Sequence, residues 1–252
     1  YNDEANIAWF ERHCAWLAER FGDLAAGWVL HNEFNGGGPA VACRKINYLK
    51  AVARGAQAIR PFSKAPCTYA HAGDLSEPLR RGDPFDDTAA AADDLLANEW
   101  VFHAIRTGEI VHPGVDGEWC PWVKNAIDWW GLNYYRRRRV DARRSDHRAG
   151  FPPWSARRVI RAAPPGDRKA DGLAVDEMYP DGLLALLLRL RDKPVIVCEN
   201  GYVGDDDLER VRYIAAHLAA VGEAIRLGAD VRVFCYWSLM DNFEWGSFVP
   251  RF

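Results

Sequence analysis

The sequence predicts an α/β fold with parallel strands, built as part of a barrel in which strands and helices alternate. Three observations predict it. Helix-period segments alternate with short apolar runs along much of the 252 residues, which is the pattern of right-handed strand–helix–strand crossovers. The chain is 49% hydrophobic and 27% charged, enough apolar material for a substantial core. Two apolar runs, Trp28–Asn32 and Pro194–Cys198, each close on a glutamate, Glu33 and Glu199. A carboxylate at the carboxyl end of a strand adds nothing to a core, because burying it unpaired is costly. In a parallel α/β barrel that end is where catalytic groups collect. Two carboxylates so placed point to cleavage of a glycosidic bond, which needs one acid and one base or nucleophile on opposite sides of a sugar.

The elements follow in order. Residues 3–20 read as an amphipathic helix through Ile7, Phe10, Cys14, Leu17 and Ala18, closed near Phe21-Gly22-Asp23. A strand over 28–32 precedes a glycine turn at 36–38, and a helix from about 39 to 60 ends before Pro61. Pro66–Ala70 is a weak strand candidate. The alanine-rich stretch 88–107 is helical, opening at Asp86-Asp87-Thr88. Residues 127–135 form a strong strand, helix 180–191 leads to strand 194–198, and helix 206–227 leads to strand 231–237. That makes five strands, or six if Arg157–Arg161 is one, where a closed barrel of this type needs eight. Residues 1–252 are therefore read as a single, partial barrel domain.

Composition excludes several classes. A formal charge of −3 argues against a nucleic-acid partner or an anionic membrane surface, and the apolar runs fall far short of the ~20 residues that cross a bilayer. The six cysteines form no C-x-x-C pair and have no histidine at metal-ligand spacing, so no metal is expected. With no N-x-S/T site either, a reduced, cytoplasmic compartment fits best. Asp205-Asp206-Asp207 lacks calcium-loop spacing and reads as the acidic start of a helix, and Gly36-Gly37-Gly38 lacks the Lys-Ser/Thr of a phosphate loop. The scattered histidines, His71 and His217 among them, read as structural or solvated. Eleven tryptophans suggest either a packed core or stacking platforms, and their places at strand ends favour platforms. From Arg136 to Lys169 eleven arginines and one lysine face three aspartates, which reads as a solvated loop after strand 127–135, with a basic rim as the alternative.

Three further groups join the glutamates. Asn133, Tyr134 and Tyr135 end a strand, so their side chains alternate between its two faces. Trp237 ends the last strand. Glu244-Trp245 then sets a carboxylate beside an indole, and carboxylates hold sugar hydroxyls while indoles cover apolar sugar faces. Taken alone, that pair reads equally well as a helix-start acid beside a core tryptophan.

The segments WVLHNEFN (28–35), DWWGLNYY (128–135), YPDGL (179–183), VIVCENGY (195–202) and YWSLMDNFEWG (236–246) resemble, in order and spacing, the signature stretches of glycoside hydrolase family 1, the β-glucosidase family. The N-E and E-N-G motifs are weak singly, whereas the WSLMDNFEW run is highly specific. The resemblance implies a (β/α)8 TIM barrel that hydrolyses β-glycosides with retention and without a cofactor. It implies that Glu33, on the strand-4 equivalent, is the general acid/base and that Glu199, on the strand-7 equivalent, is the nucleophile. It further implies that Tyr135 holds the nucleophile with Asn133 close by, and that Asn32 binds the sugar 2-hydroxyl. Trp237 would floor the subsite of the cleaved sugar, while Glu244 and Trp245 read its outer hydroxyls. A glutamate at 244 argues against a 6-phosphorylated sugar.

Departures from the pattern shape the expectation equally. The family's first three strands, with a Gln and a His-Trp pair that grip the sugar, have no counterpart here, nor has its final helix. The chain opens on Tyr1 rather than Met, so residues preceding it are expected. The usual Asn-Glu-Pro is Asn32-Glu33-Phe34, and the aglycone-side tryptophan falls at about Asp176. The expected partner is a β-glycoside substrate, with self-association or a second chain as ways to complete the barrel. The alternatives are a non-catalytic carbohydrate-binding relative and a transglycosidase using the same site.

Overall fold

The computed structural model describes residues 3–36, 42–113, 115–143, 158–160 and 178–243. These fall into two compact units, one of residues 1–72 with 95–132, the other of 73–94 with 133–252.

In the first unit, helix α1 (Ala5–Phe21) packs on helix α2 (Ala42–Ile59). Cys14 and Ala18 of α1 meet Ala56 and Ile59 of α2, and Phe10, Trp28 and Leu30 close the cluster over Cys67. Gly55 allows this approach, since a Cβ there would crowd the Cys14 sulfur and the Phe10 ring. Strand β1 (Trp28–Asn32) runs parallel to β2 (Cys67–Ala72), with Trp28 opposite Cys67 and Asn32 opposite Ala70. The register slips between Val29 and Asn32, an irregularity of the kind that re-aims side chains beside functional sites.

The second unit is built differently. A small sheet runs in the order β3 (Leu75–Pro78), β7 (Arg137–Asp141), β8 (Arg158–Ile160), with β3 parallel to β7 and β8 antiparallel to it. Helix α3 (Pro84–Asp94) belongs to this unit. So do helix α5 (Pro180–Arg189), strand β9 (Val195–Asn200), helix α6 (Asp207–Arg226) and strand β10 (Val231–Tyr236), with β9 and β10 parallel. The first unit also holds a π turn over Leu95–Glu99, helix α4 (Trp100–Thr107) and the two-residue strands β4 (Glu109–Ile110) and β5 (Glu118–Trp119). Strand β6 is Trp130–Asn133.

All five expected strands are present as β1, β2, β6, β9 and β10. The sixth candidate, Arg157–Arg161, is a strand, β8, but in the small antiparallel arrangement rather than among the parallel set. The helix expected from Asp86-Asp87-Thr88 starts earlier, because the Asp83 carboxylate accepts the amides of Phe85 and Asp86 at 3.1 and 3.3 Å and Pro84 suits a first turn. Asp206 caps α6 in the same way, accepting from Leu208 and Glu209. The glycine turn is described only at Gly36, since 37 and 38 lie outside the described residues.

Two expectations are corrected. The described part of the arginine segment is no solvated loop. Arg138 pairs with Asp74 at 2.6 Å and Asp93 at 3.4 Å, and Arg137 pairs with Glu77 at 2.7 Å while its guanidinium stacks on Tyr179. The compensating carboxylates lie more than forty residues away in sequence, where a local charge count does not reach them; 144–157 and 161–177 lie outside the described residues. Nor do the described tryptophans all make platforms. Trp100 and Trp130 are fully buried, while Arg12, Arg20 and Arg54 lie over the rings of Trp9, Trp16 and Trp122 at 4.1–4.4 Å.

Candidate active site

In the second unit, Glu199 stands one residue before the end of β9, half-buried. Its Oε2 accepts a hydrogen bond of 2.8 Å from the Tyr135 hydroxyl, and its backbone carbonyl accepts the Tyr134 amide at 2.9 Å. The neighbouring Asn200 is fully buried and gives both amide hydrogens away, to the Tyr134 carbonyl at 2.6 Å and the Tyr213 hydroxyl at 3.0 Å. Tyr213 in turn reaches the Tyr135 carbonyl at 3.4 Å. Backbone and side chain on both sides of the Glu199–Tyr135 pair are thereby tied to α6. Tyr134 is buried, its hydroxyl donating to the Tyr179 carbonyl at 2.5 Å.

The glycine of E-N-G has a steric reason. A Cβ at Gly201 would collide with the carbonyl oxygen of Trp237, whose own amide donates to the Asn200 carbonyl at 3.0 Å. The ends of β9 and β10 thus close on each other, and Trp237 leaves β10 there. Asn133, 1% exposed, ends β6, and its carbonyl accepts the Gly73 amide at 2.8 Å. Glu244 and Trp245 lie outside the described residues.

In the first unit, Asn32 ends β1, exposed, and Glu33 follows. Glu33 has φ +52°, the left-handed region a glutamate seldom takes. Its amide donates to the Ala70 carbonyl at 2.8 Å and its carbonyl accepts from Gly36 at 3.1 Å, making a tight turn at the strand's end. Phe34, where a proline was expected, is buried, with ring centroids 4.8 Å from Tyr69 and 6.3 Å from Trp100. The aromatic core thereby absorbs the substitution. A pocket of about 230 Å³ adjoins the turn, lined by Glu33, Asn32, His31, Arg44, Lys45 and Tyr48 among others. Burial holds the His31 imidazole below its usual pKa, so it faces this pocket as a neutral ring near pH 7.

Of the expected site residues the structure brings Tyr135 and Glu199 into direct contact and sets Trp237 beside Asn200. It places Asn32 and Glu33 together on the other unit. Residue patterns gave no role to Asn35, Asn98, Asn200 or Tyr213, while His71, read as structural or solvated, is fully buried. No group of acidic, histidine or cysteine side chains able to hold a metal occurs among the described residues.

A family model described as glycosyl hydrolase family 1 matches residues 39–252. The chain is 32% identical over 270 residues to a β-galactosidase of Sulfolobus acidocaldarius, covering 96% of this chain and 52% of that protein. It is 40% identical over 151 residues to thermostable β-glucosidase B of Thermobispora bispora, covering 53% of this chain and 28% of that one. A family 1 β-glucosidase from Thermotoga maritima superposes with a TM-score of 0.80 at 24% identity, over 99% of this chain and 62% of that one. That likeness shows the fold, a family 1 TIM barrel of which this chain carries a part. The chain spans about half the length of the curated relatives it matches end to end.

Proposed function

The chain belongs to glycosyl hydrolase family 1, and from that premise we propose that it carries the two catalytic carboxylates of a retaining β-glycosidase acting on β-glucoside-like substrates. The observation that carries this reading is the Tyr135–Glu199 hydrogen bond at the end of β9. A phenol donating to one carboxylate oxygen fixes the orientation of the group at the end of β9.

In this reading residues 1–252 form one partial catalytic domain. Glu199 attacks the anomeric carbon while Glu33 gives its proton to the departing oxygen, so the C1–O bond breaks as a glycosyl ester forms. Glu33, now a carboxylate, takes a proton from water, and the resulting hydroxide displaces Glu199 from C1 on the same face the aglycone left. Net retention requires the two carboxyl groups to stand about 5–5.5 Å apart. Asn32 would hold the 2-hydroxyl, Trp237 the apolar sugar face with Asn133 nearby, and Glu244 and Trp245 the outer hydroxyls. Self-association or a second chain would be one way to complete the barrel. The six free cysteines support a reducing, cytoplasmic setting.

The test is replacement of the nucleophile. Glu199→Gln keeps shape and loses the negative charge, so release of 4-nitrophenol from its β-glucoside should fall by orders of magnitude with the fold retained. Unchanged release would sink the assignment.

A further inference from the structure

The first unit contains a buried polar network directly behind Glu33. Asn35, 2% exposed, lies two residues after it. The Asn35 amide nitrogen donates to the Ala72 carbonyl and to the Ala97 carbonyl, both at 2.9 Å, and its oxygen accepts the Ala72 amide at 2.9 Å. An amide nitrogen has two hydrogens, and both are used. Its 3.2 Å approach to His71 Nε2 is therefore a packing contact. That leaves Nε2–H to donate to Asn98 Oδ1 at 2.9 Å, and Nδ1 to accept from the Tyr69 hydroxyl at 2.8 Å. His71 and Asn98 are fully buried. The buried Lys45 ammonium donates to the Asn35 carbonyl at 2.8 Å.

Two features show what this arrangement does. Ala97 and Asn98 lie in the π turn Leu95–Glu99, and such turns recur where a helix must aim groups at a site. The residue under tension is Glu33, whose left-handed backbone is unfavourable for a glutamate and persists only where its surroundings over-determine it. Asn35 ties the far side of that turn to the end of β2 and to the π turn at once.

We infer that Asn35 is a positioning residue: through the carbonyls of Ala72 and Ala97, with His71 and Asn98 packed behind, it holds the Glu33 turn in the conformation that presents the carboxyl group. The inference rests on the acid/base reading of Glu33 for its catalytic consequence, and on geometry alone for its structural one.

The experiment uses the full chain and Asn35→Ala. Amide hydrogen exchange at Glu33 and Gly36 should quicken by about tenfold or more, together with that of Ala72, whose amide loses its acceptor, while the amides of α2 and of β2 from Cys67 to His71 stay unchanged. Unchanged protection at both overturns the inference. Should the alanine variant lose protection throughout, Asn35→Ser, smaller but still polar, faces the same two outcomes.

Hydrolysis is then compared on an alkyl β-glucoside, whose leaving group must be protonated, and on the 2,4-dinitrophenyl β-glucoside, whose leaving group departs unaided. For Asn35→Ala, kcat/KM should fall about 100-fold on the first and no more than about threefold on the second. Equal losses on both are what general damage gives, and overturn the inference. Glu33→Gln run alongside separates the two claims. If it shows the leaving-group dependence and Asn35→Ala does not, only the positioning claim fails. If Glu33→Gln lacks it, the acid/base reading fails, and the exchange result alone decides whether Asn35 holds the turn.

Discussion

Tyr135 is where a single atom matters most. Its hydroxyl donates to Glu199 at 2.8 Å, and hydrogen bonds to charged groups contribute about 1.5–3 kcal/mol. Tyr135→Phe keeps the ring and removes that donor, so kcat/KM for a β-glucoside should fall about 10- to 100-fold with the far-UV and near-UV circular dichroism unchanged. An undiminished rate would mean that Glu199 is held by something other than Tyr135. Asn200 is a residue of another kind, since it meets no substrate in the proposed reading. Its two donated hydrogens hold Tyr134 and Tyr213, which makes the asparagine of E-N-G part of the frame. Residue identity announced Glu199, because a carboxylate at a strand's end has little to do in a core, whereas the role of Tyr135 entered only through the resemblance. It left Asn200 without a role, because an amide's partners are decided by the fold.

At the scale of elements, the small sheet and α3 show how charge holds a connection together. Asp86 in the first turn of α3 is fully buried, yet it accepts from the Arg80 backbone and guanidinium at 3.0 Å and from the Ala142 amide at 2.8 Å. The Arg80 guanidinium also reaches Asp141 at 2.5 Å. Asp86→Ala leaves the backbone amides of Arg80 and Ala142 facing an apolar methyl, and a donor left without its partner in a part-buried position costs about 1–3 kcal/mol. The urea midpoint should fall accordingly with little change in slope, and a loss near zero would show the network to be ornamental. A carboxylate in a helix's first turn was legible from Asp86-Asp87-Thr88, and its sign suits the helix dipole. That it closes on residue 142 was not, because the partner lies 56 positions along the chain.

For the molecule as a whole, stability is coupled to pH through buried histidines in both units. His112 and His217 each donate Nδ1–H to a backbone carbonyl at 2.8 Å, of Pro113 and Tyr213 respectively, and each buries an Nε2 with no hydrogen-bond partner among the described residues. Burial holds the pKa of both below the usual histidine value, with Lys45 adding to the effect at His112, and burial lowers His31 likewise. Below about pH 6.5 the unfolded chain takes up protons that the folded chain refuses. Stability is therefore full above that value and falls as pH drops from there towards the depressed folded pKa values. Melting temperature should decline between pH 7.5 and 5, and His217→Phe, which keeps the 3.8 Å stacking on Tyr213, should flatten part of that decline. An equal slope in the variant would remove His217 from the account.

Sequence alone determined the alternation of helices and strands, the five strands, the family and the two glutamates at strand ends. These follow from periodicity and from residues such as Glu33 and Glu199 whose chemistry is out of place in a core. Only the tertiary structure decided that the arginines of β7 are paired, that Phe34 is an aromatic anchor, and that Asn35, His71 and Asn98 stand behind Glu33. The physical reason is the same in each case. Periodicity is a local property read over one or two turns, whereas a hydrogen bond or ion pair between residues 37 to 64 positions apart exists only once the chain has folded back on itself.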